Sequence, residues 1–520
     1  MSPFNHSSVD KRGTVGTILT LAGLVLACLL LASAAQASIM GVIMGMQPAN
    51  VLCKNETTGQ TVTANWTDES WDCGVLGLIV SPGDFVVTGV RGVAVPYDEA
   101  PISNMGIIEH PQVSTVLVVT WNQDFPTRAG WLEFTINGGP PLTSPERERA
   151  AGPQREIVLG APADAVVNVR IANRFPEGVV RSEPMTAMTG SLPEGIDDPT
   201  LNAFDPSLAL DADYLLTSLN TNGERNGYAL ILNRAGRIVW YQEPVRGLTL
   251  LVPRVARAGN HLILDKDPYW SGSDETATLR KMTIEHEVIK EIPVPYLHHG
   301  WDERSDGSIV WGANKSGFDH EQLWTVDPQG NYRMIWDSDT WDVPGLVASN
   351  TTVWEESTDT VLLTFWTNST TVEVDFETGE IVRQFGDEDG SWAFLPEDSQ
   401  FWFAHGNHYT DEHTLLVSSH LLPGQGQEQR IREYALHEES QTLVQVWEYG
   451  EGEGLYAPTW GEATRLENGN TLLNTGSDPL IREVTMAGET AWEVNWTGFS
   501  TVGHMTFIEG LHDLYALDGR

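Results

Sequence analysis

From residue 211 to the end of the chain, short apolar runs are closed by turn signals, and two kinds of unit alternate. The first kind is an apolar strand, a Gly- or Asp-containing turn and a second strand that often carries Trp. It occurs as Asn233-Arg-Ala-Gly-Arg-Ile-Val-Trp, Asp327-Pro-Gln-Gly-Asn-Tyr-Arg-Met-Ile-Trp, Asp375-Phe-Glu-Thr-Gly-Glu-Ile-Val and Met486-Ala-Gly-Glu-Thr-Ala-Trp. Ile284-Glu-His-Glu-Val-Ile-Lys and His437-Glu-Glu-Ser-Gln-Thr-Leu-Val are degenerate copies, which makes six. The second kind reads Arg257-Ala-Gly-Asn-His-Leu-Ile, Ser305-Asp-Gly-Ser-Ile-Val, Thr358-Asp-Thr-Val-Leu-Leu, Asp411-Glu-His-Thr-Leu-Leu and Glu467-Asn-Gly-Asn-Thr-Leu-Leu. Turn glycines Gly236 and Gly330 lie 94 residues apart, and Gly330 and Gly379 lie 49 apart. Four strands in a period of roughly 40–50 residues is the signature of a β-propeller blade. The pattern predicts an all-β chain whose residues 211–520 form a six-bladed propeller.

The chain before the repeats is also β-patterned. Residues 96–190 contain Ser114-Thr-Val-Leu-Val-Val-Thr-Trp, Gly130-Trp-Leu-Glu-Phe-Thr-Ile and Ala165-Val-Val-Asn-Val-Arg-Ile, strands at the spacing of an Ig-like β-sandwich. Residues 191–210, rich in Pro and Asp, read as a linker. Residues 38–95 alternate in shorter runs, with a Ser-Pro-Gly turn at 81–83, and read as a small β unit. At the start, Lys11 and Arg12 precede an apolar stretch from Thr17 to Ala35 that ends in Ala35-Gln36-Ala37. That is the layout of a signal peptide over 1–37, cleaved after Ala37, which predicts a secreted or periplasmic protein. Left uncleaved, the same stretch is nearly long enough to hold the chain to a membrane. Its removal leaves two cysteines, Cys53 and Cys73, and in an exported protein these are expected to pair as a disulfide.

Charge narrows the partners. The chain carries 30 Lys+Arg, only six of them Lys, against 71 Asp+Glu, a net charge of −41 over 520 residues. A phosphate backbone would be repelled, so no nucleic-acid partner is expected, and an anionic lipid surface is disfavoured for the same reason. The 19 Trp and 41% apolar content exclude a disordered chain. No zinc motif such as HExxH occurs, so no metal and no cofactor are expected.

In a propeller the innermost strand of each blade faces a central channel, so the segments just before the second-unit turns are where chemistry gathers. They hold His298 and His299 (in Leu297-His-His-Gly-Trp-Asp), Asn350, His405 and His408 (in Ala404-His-Gly-Asn-His), and Trp460 (in Thr459-Trp-Gly-Glu). Imidazole serves as nucleophile, base or ligand near neutral pH. Side chains alternate along a strand, so only one of His298 and His299, and only one of His405 and His408, is expected to face the channel. A single inner-strand histidine is also commonly a structural residue. Histidines at equivalent places in blades that adjoin one channel point to a site.

These stretches, with His298-His-Gly-Trp-Asp-Glu-Arg-Ser-Asp-Gly-Ser-Ile-Val, Asn350-Thr-Thr-Val-Trp-Glu-Glu-Ser, His405-Gly-Asn-His-Tyr-Thr-Asp-Glu-His-Thr-Leu-Leu-Val and Gly461-Glu-Ala-Thr-Arg-Leu-Glu-Asn-Gly-Asn-Thr-Leu, resemble the bacterial arylsulfotransferase family over about residues 205–520. Members are exported six-bladed propellers, many with an Ig-like amino-terminal domain. The resemblance implies transfer of a sulfo group from a phenolic sulfate ester to a phenol, without a nucleotide sulfate donor. It also implies that His405 is the nucleophile that forms a sulfo-histidine, with His299 or His298 as a second active-site histidine and Asn350 in the substrate site. The chain departs from the family at two places: a third histidine falls at Ala348, and an arginine falls at Trp366. Arginine clamps sulfate oxygens and Trp has no charge to replace it. Arg254 and His504 are the cationic residues expected to reach the channel instead.

Three functions fit these residues. One is the sulfotransferase. Another is a non-catalytic secreted binding module whose Trp301, Trp366 and Trp460 stack on a planar or sugar-like ligand. The third is another enzyme on the same scaffold, using a histidine pair as acid and base.

Overall fold

The computed structural model describes residues 102–515, apart from 125, 176–177, 222–225, 245–247, 249, 267–274, 315–319, 342, 344–346, 421–427, 458–459 and 499–500, together with the backbone of short strands between residues 40 and 91. The described chain is β-structure joined by turns, with three short 3₁₀ turns and no α-helix. None of its described helices is long and apolar enough to cross a membrane. The signal segment 1–37 and Cys73 of the expected disulfide lie outside the described residues. Strand Asn50–Asn55, which carries Cys53, pairs with Thr61–Asn65 and Val86–Arg91.

Residues 102–188 form two antiparallel sheets packed face to face. Ile102–Glu109, Leu117–Gln123 and Gly152–Val158 make one; Thr127–Ile136 and Val166–Phe175 are central to the other. Their inward residues, among them Leu117, Val119, Trp121, Leu132, Phe134, Val167 and Ile171, fill one core. Each such fully buried side chain contributes roughly 1.5–3 kcal/mol.

Six further sheets, among the described residues, follow one another along the chain, antiparallel except where Ala393–Leu395 adds a parallel outer strand to the fifth. The first blade is Tyr214–Asn220, Gly227–Asn233 and Ile238–Gln242. The second is Arg254–Val255, Leu262–Lys266, Thr278–Met282 and Val288–Pro293. The third is Leu297–Glu303, Ile309–Asn314, Glu321–Val326 and Tyr332–Asp337, and the fourth Ser349–Glu355, Thr360–Phe365, Thr370–Asp375 and Ile381–Gly386. The fifth is Trp402–Tyr409, Leu415–His420, Gln429–His437 and Thr442–Tyr449; the sixth is Ala463–Arg465, Thr471–Asn474, Leu480–Val484 and Thr490–Asn495. This is a β-propeller.

The two repeating units of the sequence are its two hairpin turns. The turn between third and fourth strands places a residue at positive φ in every blade: Gly236, His286, Gly330, Gly379, Gln441 and Gly488. The turn after the innermost strand does the same at Gly259, Gly307, Asp359, His413 and Gly469. The degenerate copies keep the left-handed backbone without the glycine that favours it.

The ring is closed twice. Thr501–Ile508 returns to become the innermost strand of the first blade, pairing with Tyr214–Asn220. Thr200–Phe204 pairs with Thr490–Asn495 as a fifth, outer strand of the sixth blade. Residues 191–210 are therefore not the free linker that their Pro and Asp content suggested. Leu210 N–H donates to Glu483 Oε1 (2.6 Å) and Arg234 pairs with Glu483 Oε2 (2.6 Å), so one buried carboxylate clasps both ends of the ring. The sandwich docks on the first blade: Thr115 Oγ1 donates to the Val239 carbonyl (2.8 Å), and Val113, Val116, Ile157 and Leu159 join the propeller's core.

Candidate functional site

Innermost strands break their pairing register near one end of the ring. In the third blade Leu297 pairs with Ala313 and Trp301 with Trp311, which leaves His298, His299 and Gly300 bulged out of the ladder. In the fifth, Trp402 pairs with His420 and Gly406 with Ser418, freeing Phe403, Ala404 and His405. The fourth bulges at Asn350 and the first at Gly503 and His504. A bulge re-aims a side chain that strict alternation would bury. Glycine is needed where the strands then crowd: a Cβ on Gly300 would lie 2.4 Å from Thr352 N, and one on Gly503 2.2 Å from the Leu251 carbonyl oxygen.

The bulged residues His299, Asn350, His405, Gly503 and His504 all line one cavity, which is partly open to solvent. Trp460, Glu462 and Asn474 of the sixth blade side complete its polar wall, and Leu251, Val252 and Val502 supply the apolar one. Of the residues singled out from sequence, the cavity gathers His299, His405, Asn350, Trp460 and His504. His298, His408, Trp366 and Arg254 stand just outside it.

His405 is buried, and burial followed by the neighbouring His420 pulls its pKa well below 6.5, so it is a neutral imidazole. Trp460 N–H donates to its Nε2 at 3.4 Å, the long end of a hydrogen bond, which places the lone pair on Nε2. Phe403 and Trp460, on either side of this contact, have positive φ (51° and 69°), local strain of the kind that collects at functional sites. Trp366 sits beside His405 with ring centroids 6.2 Å apart. Its Nε1–H and the Nδ2 of Asn350 are buried donors with no hydrogen-bond partner among the described residues.

His299 is likewise held well below 6.5, by burial first and then by His298 and His405. His298 hydrogen-bonds to His299 through their Nδ1 atoms, and its Nε2–H donates to Glu321 Oε2 (2.9 Å). Glu321 is fully buried and also accepts from Ser349 Oγ (2.8 Å) and Ser349 N (3.2 Å). Across the cavity His504 Nδ1 donates to Glu462 Oε2 at 2.8 Å. Burial raises the Glu462 pKa, but His504, Arg254 and His408 outweigh it and hold the carboxyl below its ordinary value. Arg254 itself lies 3.6 Å from Asp302 and over the Trp301 ring, so it acts on the cavity at second hand. His408 accepts from Arg465 N (3.3 Å) and, chiefly through burial, is lowered to about 4.

Trp301 is fully buried in the core between second and third blades, and so offers no face to a ligand. Glu321, His420, Glu462 and Asn474 escaped the sequence reading. Glu462 follows the Trp460-Gly461 pair directly and its place before an innermost strand was available; Glu321 and His420 lie on outer strands, where no local motif marks them. Apart from the cavity, His320, Asp337 and Asp339 cluster at the edge of the third blade, where His320 and Gln322 already bond Asp337.

No family model matches the chain, and no curated protein matches it. Among solved structures it is similar to propeller-like proteins. One is a protein of unknown function from Bacteroides caccae, at 13% identity and TM-score 0.39, covering 56% of this chain and 98% of that one. Others are the nidogen/laminin complex (11%, TM-score 0.37, 56% and 97%) and streptogramin B lyase (12%, TM-score 0.35, 60% and 98%). The propeller assignment rests on the strand pairing of this chain itself.

Proposed function

We propose that the protein is an exported, arylsulfotransferase-like enzyme that moves a sulfo group from a phenolic sulfate ester to a phenol through His405. The carrying observation is the convergence of two neutral histidines, His405 and His299, with the donor Asn350 on a single cavity. In the first half reaction the long Trp460 N–H contact gives way, His405 Nε2 turns its lone pair on sulfur, the N–S bond forms and the S–O(aryl) bond breaks. The departing phenolate takes up a proton, which His299 or the Glu462-bonded His504 can supply. In the second half the acceptor oxygen attacks sulfur, the N–S bond breaks and the acceptor's proton returns to the protein. Attack requires a neutral imidazole, and burial supplies one. Asn350 Nδ2 and Trp366 Nε1 are the donors nearest to hand for sulfo oxygens. They are weaker than an arginine clamp, so turnover is expected to be slow.

The same reading keeps the sandwich as the Ig-like amino-terminal domain of that family, Cys53–Cys73 as a disulfide, and residues 1–37 as an export signal. The test is release of a chromogenic phenol from 4-nitrophenyl sulfate with phenol as acceptor. Acceptor-dependent release by the wild type and its loss in His405→Ala supports the proposal. Tight binding of an aromatic ligand without release would instead make the protein the secreted binding module.

A further inference from the structure

The buried carboxylate Glu321 is bonded to His298, His298 to His299, and His299 lines the cavity. We propose that Glu321, His298 and His299 form a two-state proton relay, in which His299 exchanges a proton with the phenol oxygen while the charge is held on His298 against Glu321.

The hydrogen bonds set the two states. With the relay unloaded, His298 Nε2–H donates to Glu321, so His298 Nδ1 carries a lone pair and must accept from His299 Nδ1–H. His299 then has its lone pair on Nε2. When an acceptor phenol gives its proton to His299 Nε2, the proton on His299 Nδ1 crosses to His298 Nδ1. His298 becomes the imidazolium, paired with Glu321, and His299 is left neutral with its hydrogen on Nε2. The reverse passage delivers that proton to a departing phenolate. One proton enters and one leaves per turnover, and His299 changes tautomer without becoming charged.

The surroundings favour that division of labour. Burial, His298 and His405 all disfavour a charge on His299. Glu321 is placed to hold a charge on His298, and is itself fixed by both Ser349 donors. Gly312 makes the room: a Cβ there would stand 2.6 Å from Glu321 Oε1 and 2.5 Å from Ser349 Oγ. The other ionisable groups on the cavity are His405, Glu462 and His504, and the last two are already paired. Glu321 and His298 are positioning residues, since neither lines the cavity.

The inference rests on the sulfo-transfer reading for its reaction but not for its geometry, so it is tested without substrate. Ring-nitrogen NMR of histidine-¹⁵N-labelled protein is recorded between pH 5 and 8, with signals assigned through His299→Gln. Expected is that, as the relay loads, His298 carries a hydrogen on both ring nitrogens and His299 moves its hydrogen from Nδ1 to Nε2. A His299 that keeps one tautomer throughout, or that itself becomes cationic, overturns the relay. In Glu321→Gln the doubly protonated form of His298 should be lost; a His298 that still carries both hydrogens overturns the role of Glu321. If that variant does not fold, Ser349→Ala, which strips one donor from the carboxylate, should keep the doubly protonated form. With 4-nitrophenyl sulfate, Glu321→Gln should lower kcat about 100-fold with the donor KM unchanged. A wild type that turns over no aryl sulfate defeats the sulfo-transfer reading, while the tautomers still decide the relay.

Discussion

The imidazole rings of His405 and His420 lie face to face, their centroids 5.3 Å apart and their planes tilted by 15°. Both are tied to the backbone of one residue: Trp460 N–H donates to His405, and His420 Nε2–H donates to the Trp460 carbonyl at 3.2 Å. Two stacked buried imidazoles cannot both be charged at modest cost. Burial first, and the neighbouring His420 second, keep His405 neutral, while His420 is itself lowered to about 4 mainly by burial.

This fixes the acid side of the pH profile. An ordinary histidine nucleophile is half-protonated near pH 6.5, and its rate falls below that. With His405 held well below 6.5, the burst of phenol released in the first half reaction should show its acid limb well below pH 6.5. Rapid-mixing measurements of the burst across pH 5–8 check this; a limb at 6.5 assigned to His405 contradicts it.

Stability should follow the same histidines with a definite sign. His286, His408, His420 and His512 are each lowered to about 4, largely by burial. The unfolded chain takes up their protons near pH 6.5 and the folded chain only near 4. Their contribution is therefore whole above 6.5 and lost as the pH falls from 6.5 toward 4. Asp265, raised by burial to about 6 although it accepts from Leu251 and Val252 N–H, acts oppositely: its penalty is relieved as pH falls from 6 toward 3.8. His110, His299 and His405 are lowered as well, while Glu156 and His320 are raised and act with Asp265; seven groups against three predict a falling unfolding temperature between pH 6.5 and 4, measurable by calorimetry.

Salt should help rather than hinder. A protein of net charge −41 repels an anionic aryl sulfate at long range, and about 0.15 M salt already shortens that field to roughly 8 Å. We expect kcat/KM for 4-nitrophenyl sulfate to rise severalfold between low salt and about 1 M, while kcat stays level. A fall in kcat/KM with salt would mean that a local positive field governs capture.

The clasp on the ring is open to a stability test. Arg234→Ala removes the cation from Glu483, which is fully buried and, among the described residues, retains only the Leu210 N–H and Asn470 Nδ2 donors. Leaving such a charge uncompensated costs about 3–5 kcal/mol. Denaturant unfolding should show a loss of that size; a change below about 1 kcal/mol would mean that the pair does not hold the closure.

The blades were legible in the sequence because each carries two tight turns that need a positive-φ residue, and Gly236, Gly330, Gly379 and Gly488 advertise it at a regular spacing. The double closure was not, because Thr200–Phe204 finds its partner almost 300 residues away and no local pattern encodes a ladder of that range. Strict alternation placed one of His298 and His299 toward the channel, and His299 is the one on the cavity. Alternation could not foresee the bulge that leaves the two rings in contact. His405 and Asn350 were visible from their place in the repeat, and His504 as a cationic residue of the closing segment. Glu321 was invisible, since a buried acid on a third strand reads like any polar residue at a strand's end.

Intact and peptide mass spectrometry after mixing with an aryl sulfate reads the central claim directly. A sulfo adduct on the peptide containing His405, absent in folded His405→Ala and discharged by adding a phenol, is the predicted result. Folded protein that gains no adduct and releases no phenol, in low and high salt alike, would contradict it.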